Sequence, residues 1–214
     1  MVGPDERVDA HGAATARLTL HVLLEVAPSA EPGGEAAVCG LLTLEHYEVS
    51  DVALIGYLVT SPAFVRQGVA KRLCQHAAGV LGAGVPLVVE SHRADVADAV
   101  MSPADRLATY ARLGFYPLDL AYTVPSVTPD EPPCADTYVL LLHTAALDAQ
   151  GHFATARLRA FLVEYYAASA TRREDMGALT AMLDWCDAQP VLTLNVGDRI
   201  PRPAQLDPPL LGLK

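Results

Sequence analysis

The sequence predicts a mixed α/β fold: a mostly antiparallel sheet flanked by helices, followed by a helical extension. Three observations point there. Three apolar runs, 16–27, 36–47 and 52–59, follow one another with short turns between them, as an antiparallel meander does. Two helix signatures then interleave with shorter apolar runs. Past residue 144 the apolar spacing becomes helical.

In chain order, 1–15 are polar and small, and read as a flexible lead-in. ARLTLHVLLEVA (16–27) is the first strand, and Pro28 to Glu35 has turn composition. The second strand is 36–47, and a loop at Ser50-Asp51 leads to the third, 52–59. A helix is expected over 67–82, with Val69, Leu73, Ala77 and Val80 as its buried stripe. Pro86 to Glu90 is a short buried-type strand. Ser102-Pro103-Ala104-Asp105 opens a second helix, with a Ser cap, Pro at the first helical position and an acidic first turn. Gly114 ends that helix. Strands follow at 115–124 and 137–143, separated by the Pro-rich stretch 125–133. This gives a core of 16–145 and an extension of 146–214. In the extension, Leu158, Phe161, Leu162 and Tyr165 mark one helix; Met176, Leu179, Leu183 and Cys186 mark another. A strand is expected over 191–196, then an extended Pro-rich tail.

Composition limits the function classes. The 214 residues carry a net charge of −10, which argues against a general nucleic-acid binder. Four cysteines, far apart and with no C-x-x-C pair, read as free thiols of a reducing cytoplasm. Seven scattered histidines show no paired spacing, so no metal site is expected. No signal peptide is recognisable, and the apolar runs are too short to span a bilayer, so no membrane role is expected.

The chemistry-bearing stretch is 52–81, where a strand runs through a small-residue loop into a helix. The first turn of a helix offers backbone N–H groups without internal partners, and the dipole adds positive charge there. Gly68 and Ala70 leave room for an anion to approach those amides, and Arg66, Lys71 and Arg72 add formal charge. An ordinary amphipathic core helix explains the same residues equally well. The buried stripe and an anion site are compatible, because one uses the helix face and the other its end.

T-S-P-A-F-V-R-Q-G-V-A-K-R-L (60–73), followed some forty residues later by Y-A-R-L-G-F (110–115), resembles the GNAT superfamily of acyl-CoA N-acyltransferases. The first stretch is similar to that family's pyrophosphate-binding motif (Q/R)-x-x-G-x-(G/A), the second to its segment Y-x-x-L-G-F. The likeness covers about 16–143. It departs from the family in three places. Val65 stands where Gln or Arg is usual. Pro103 stands near the position of a frequent Asn. The family's first strand and two substrate-side helices have no counterpart before Ala16. Either that wall is missing, or the helices near 153–168 and 175–187 supply it, from the same chain or from a partner. Burial of their apolar faces within the chain and a homodimer both meet that need.

The resemblance implies acetyl-CoA as co-substrate and a primary amine as acceptor, joined by direct attack in a ternary complex. It implies that strands 52–59 and 86–90 splay apart, and that pantetheine pairs with backbone near Leu58, Val59 and Thr60. The amides of Arg66, Gln67, Gly68, Val69, Ala70 and Lys71 would hold the pyrophosphate, and an N–H near Val59 or Thr60 would stabilise the oxyanion. Tyr110 matches the family's proton donor to the departing thiolate; a packed helix aromatic is the other reading. Glu90, at its strand end, is the candidate base, with an ion pair to Arg106 or Arg93 as its alternative. Glu45 and His92 are reserves, while His21, His46 and Tyr116 read as structural. The rival function is a degenerate member that binds acyl-CoA without catalysis, as a sensing or interaction module.

Overall fold

Alternation along the strands gives the sheet two apolar faces, and helices cover both. The computed structural model describes residues 5–8, 14–28, 35–82, 84–96, 101–126, 132–169 and 173–194. In chain order these form β1 (Asp5–Val8), β2 (Ala14–Ala27), β3 (Ala37–Tyr47), β4 (Val52–Thr60), α1 (Val69–Leu81), β5 (Leu87–His92), α2 (Pro103–Arg112), β6 (Phe115–Pro117), β7 (Tyr138–His143), β8 (His152–Ala154), α3 (Thr155–Ser169), α4 (Arg173–Ala188) and β9 (Val191–Thr193). The main sheet runs β1-β2-β3-β4-β5-β7-β6, and β8 pairs with β9 separately. Every neighbouring pair is antiparallel except β4 and β5. This is the mixed, mostly antiparallel architecture the sequence predicts.

On β4, Ala53 and Ile55 point to one face, where Val69, Leu73 and Ala77 of α1 and Leu107 of α2 pack. Val52 and Leu54 point to the other, against Leu158, Phe161, Leu162 and Tyr165 of α3 and Leu179 and Met182 of α4. Each helix turns its apolar stripe inward, and the strand period of two feeds both cores. α3 lies across β2, β3 and β4. It is fixed there by Glu164, which is 1% exposed. Its carboxylate accepts from the backbone N–H groups of Arg17 (3.0 Å), Val49 (3.1 Å) and Ser50 (2.8 Å), and from the Ser50 hydroxyl (2.7 Å). Turn amides that have no ladder partner are thereby satisfied by a helix more than a hundred residues away. Arg157, one helical face along, donates to the Gly84 carbonyl (2.8 Å) and to Asp51.

The C-terminal helices thus cover part of one face of the sheet. Their cover is confined to the end of the sheet that bears the β3–β4 turn. Further along the same face Leu20, Val22, Leu24 and Val26 of β2, and Tyr57 and Val59 of β4, are exposed.

Several expectations are corrected. The lead-in contributes β1, paired with the start of β2. The strand expected over 115–124 stops at Pro117, with one more bond to β7 from the Leu118 N–H to the Leu140 carbonyl (2.9 Å). Beyond it Leu118, Leu120 and Tyr122 turn into the α3–α4 core instead. Val80 and Met176, assigned to helix stripes, are exposed, whereas the rest of each stripe is inward. The strand β8 has no sequence signal of its own. The tail from 195 lies outside the described residues. All four cysteines are free thiols, with Cys39, Cys74 and Cys186 buried. Among the described residues no helix is long and apolar enough to cross a membrane.

Candidate active site

The parallel ladder between β4 and β5 is short. It pairs Ala53 with Leu87, Leu54 with Val88 and Ile55 with Val89, and then ends. From there β4 continues through Thr60 along β3 alone, and β5 continues through His92 along β7 alone. The two strands thus diverge beyond Ile55 and Val89, as the resemblance implied.

The point of divergence is a β-bulge. Thr43 pairs with Tyr57 and Leu44 with Ile55, so Gly56 is the extra residue. A side chain there would sit 3.1 Å from the Thr43 hydroxyl and 3.2 Å from Glu45 Oε1. Only glycine fits comfortably. The bulge resets which amides face the opening. Tyr57 N–H donates to the Thr43 hydroxyl (2.9 Å) and Ser61 N–H to the Cys39 carbonyl (2.8 Å), both towards β3. Alternation then turns Val59 to β3 as well, and aims the N–H and C=O groups of Leu58 and Thr60 into the opening. Of the candidates near Val59 and Thr60, the gap-facing donors are Leu58 and Thr60.

The loop after β4 leads to the α1 N-terminus. Arg66 (φ 64°) and Gly68 (φ 77°) both adopt left-handed conformations, which curl the loop around the helix end. The first bond into the helix runs from Arg72 N–H to the Gly68 carbonyl (3.0 Å), so the amides of Val69, Ala70 and Lys71 precede it. Gln67 N–H is already engaged with the Phe64 carbonyl (3.3 Å). Gly40 of β3 lets this helix end approach closely, since a Cβ there would lie 2.5 Å from Val69 Cγ1. Arg66 and Lys71 are exposed beside the amides. Arg72 is committed elsewhere: it pairs with Glu25 and donates to the Gln67 carbonyl (2.8 Å).

Glu90 lies on β5 just past the last β4 pair, with its side chain on the α3 face. Tyr165 of α3 donates to its Oε1 (2.9 Å), and Tyr122 donates to the same oxygen. Neither Arg93 nor Arg106 is its partner. Arg93 pairs with Asp95 (3.2 Å), and Arg106 reaches His92 Nδ1 (3.4 Å). Burial pushes the Glu90 carboxyl above the ordinary carboxylate range; the two tyrosine hydroxyls oppose that shift, and the charge of Glu45 adds to it. Glu45 stands at the bulge and accepts from the Tyr47 hydroxyl (2.9 Å). His46 contacts Asp51 (3.2 Å), and His92 packs against Tyr138 with ring centres 4.7 Å apart.

Tyr110 is on the other face. It packs in the α1–α2 core, edge-on to Phe115 at 5.9 Å. Burial raises its hydroxyl pKa, partly offset by Arg106. Tyr116 packs against the α3–α4 core. Glu90 and Tyr110 thus sit on opposite faces of the sheet.

No protein-family model matches the chain, and no curated protein matches it significantly. Solved structures do. A protein from Bacteroides thetaiotaomicron described as an acetyltransferase of the GNAT family is 24% identical, over 53% of this chain and 58% of that one (TM-score 0.39). A ribosomal-protein alanine N-acetyltransferase from Escherichia coli is 20% identical, over 53% and 65% (TM-score 0.35). An aminoglycoside 6′-N-acetyltransferase complexed with coenzyme A is 12% identical, over 58% and 73% (TM-score 0.37). All three are acetyltransferases. The chain spans less than two-thirds of the length of the first two.

Sequence reasoning singled out the loop amides, the two strands, Tyr110 and Glu90 as candidates, and did not single out three residues found at the bulge and around Glu90. Gly56 was legible as a lone glycine inside an apolar strand, a common sign of a bulge. Tyr165 was visible only as one more apolar position of a helix stripe. Tyr122 lies in a segment read as regular strand.

Proposed function

We propose that this chain is an acyl-CoA-dependent N-acetyltransferase that moves an acetyl group from acetyl-CoA to a primary amine. One observation supports this above the others: the β4–β5 ladder ends at Ile55 and Val89 beside a helix N-terminus whose first amides are open. A free strand edge next to an anion-binding turn suits a molecule with amide groups at one end and a diphosphate at the other. The residues present fit such a group. Gly68 in its left-handed conformation puts no β-carbon beside these amides, and Gly40 lets the helix end pack close to β3.

In this reading Val69, Ala70 and Lys71 amides bind the diphosphate, assisted by the Arg66 and Lys71 side chains. Leu58 and Thr60 offer backbone groups to the pantetheine amides. A bound acetyl thioester supplies the activated acyl carbon. A gap-facing N–H of Leu58 or Thr60 stabilises the negative charge that grows on the carbonyl oxygen. Glu90 takes the proton from the acceptor ammonium, directly or through a water, and its raised pKa brings it nearer the working range. Tyr110, kept protonated by burial, holds the proton for the departing thiolate. Holding two reactants in line across the opening contributes much of the remaining acceleration.

The test is release of free CoA from acetyl-CoA with spermidine, tryptamine and an alanyl dipeptide as acceptor probes. Amine-dependent release is expected, and Tyr110→Phe should reduce it by about 10–100-fold while CoA still binds. Unaltered turnover in Tyr110→Phe would remove the proton-donor role. No amine-dependent release from any probe would overturn the enzyme reading.

A further inference from the structure

We propose that Tyr165, reaching in from the C-terminal helix α3, and Tyr122, from the β6–β7 connection, are positioning residues that orient the Glu90 carboxylate and set its proton affinity for acetyl transfer. This rests on the reading of Glu90 as the base. The geometry is specific. Both hydroxyls converge on Oε1, and among the described residues Oε2 accepts no hydrogen bond, which leaves that oxygen for the acceptor's proton. The two phenols are themselves held by packing. Tyr165 stacks on Phe161 (5.5 Å between ring centres, 5° between planes) and meets Tyr47 edge-on at 5.8 Å. Tyr122 is 2% exposed. Two phenylalanines would fill this space without aiming hydroxyls at one carboxylate oxygen.

The electrostatic balance gives those hydroxyls a task. Glu90 is partly buried beside a second carboxylate, Glu45 of β3, and both facts oppose ionisation. From β3, Tyr47 donates to Glu45 (2.9 Å) rather than to Glu90. From β7, the residue opposite Glu90 is the uncharged Leu140. His92, two residues further along β5, is turned to Tyr138 and Arg106. Glu164, next to Tyr165 on α3, faces the β3–β4 turn. The donors that favour the ionised form of Glu90 are therefore Tyr122 and Tyr165. Burial keeps both phenols protonated, so they remain donors throughout the range in which a base would act.

Tyr165→Phe and Tyr122→Phe preserve shape, so they separate hydroxyl from ring. The direct reading is carboxyl ¹³C NMR titration of the full chain labelled at glutamate Cδ, with Glu90 assigned by its absence in Glu90→Gln. Loss of a donor destabilises the carboxylate, so the Glu90 midpoint should rise by about one pH unit in each variant and further in the double variant. CoA release with the amine probes should follow. At a pH below the midpoint it should fall about tenfold, and above pH 9 it should recover to within about twofold of wild type. An unmoved midpoint overturns the proposal, and so does a moved midpoint with a pH-independent change in rate. If Glu90→Gln abolishes transfer while the tyrosine variants leave the acidic limb in place, only the positioning role falls. If Glu90→Gln is fully active, the base assignment itself falls.

Discussion

The two faces of the sheet are built by different means. One face is covered by α1 and α2, which arise next to the strands they cover, so most of its core and the loop into α1 come from 39–115, with Leu141 of β7 added. The other is covered by α3 and α4, brought back from the end of the chain and fixed by contacts between residues more than a hundred positions apart. The local face carries the motif that resembles an acyl-CoA site. The remote face carries Glu90 with its tyrosines, together with an exposed apolar strip. Coenzyme binding and acceptor chemistry would then be separable by mutation, which makes the comparison testable.

The largest effect is expected on the remote face. Glu90→Gln should lower amine-dependent CoA release by about 10²–10⁴-fold while leaving CoA affinity within about threefold. The same variant has a stability signature. A carboxyl whose folded pKa is raised favours folding at pH below its unfolded value, and that contribution is lost as pH rises through the folded value. Glu90→Gln should therefore raise Tm relative to wild type at pH 8, and the gain should shrink towards pH 4. A gain independent of pH would mean that Glu90 ionises as freely folded as unfolded.

Next comes the attachment of the remote face. Glu164→Ala leaves the Ser50 and Val49 amides without their acceptor and should destabilise the chain by about 3 kcal/mol or more in urea unfolding. A change below about 1 kcal/mol would show that α3 holds its place without that carboxylate. On the local face, Gly68→Val forces a branched residue into φ 77°, which costs about 1–2 kcal/mol of stability. It also crowds the α1 amides, so CoA affinity should fall at least about tenfold. Turnover at saturating acetyl-CoA should fall much less, the opposite pattern to Glu90→Gln. The smallest effect is Arg157→Met. Its pair with Asp51 is substantially exposed, and thermal unfolding should register about 1 kcal/mol or less.

The same contrast explains what could be read from the sequence. Strand alternation, the apolar stripe of α1 and the Ser-Pro start of α2 are local patterns, so these elements emerged with ends displaced by only a few residues, although Ser102 makes no capping hydrogen bond through its side chain. The turn at 65–71 was legible because its glycine acts on the neighbouring backbone, where Gly68 takes a left-handed conformation just before α1. Tyr165 and Tyr122 were not, because a phenol that packs in a core and one that donates to a carboxylate leave the same periodic trace. Glu164 was hidden for a related reason: a buried carboxylate on a helix is recognisable only once the turn it caps, at Val49 and Ser50 more than a hundred residues earlier, is beside it. The end of the strand after Pro117 left no local trace, because Leu118, Leu120 and Tyr122 continue the apolar pattern while packing into the α3–α4 core.

The central claim is that the opening between β4 and β5, with the α1 amides at its rim, holds a coenzyme A thioester. Isothermal titration of the full chain with coenzyme A tests it most directly. A saturable one-to-one heat that weakens at least about tenfold in Gly68→Val is the predicted result. No heat at millimolar coenzyme, or equal affinity in wild type and Gly68→Val, would contradict it.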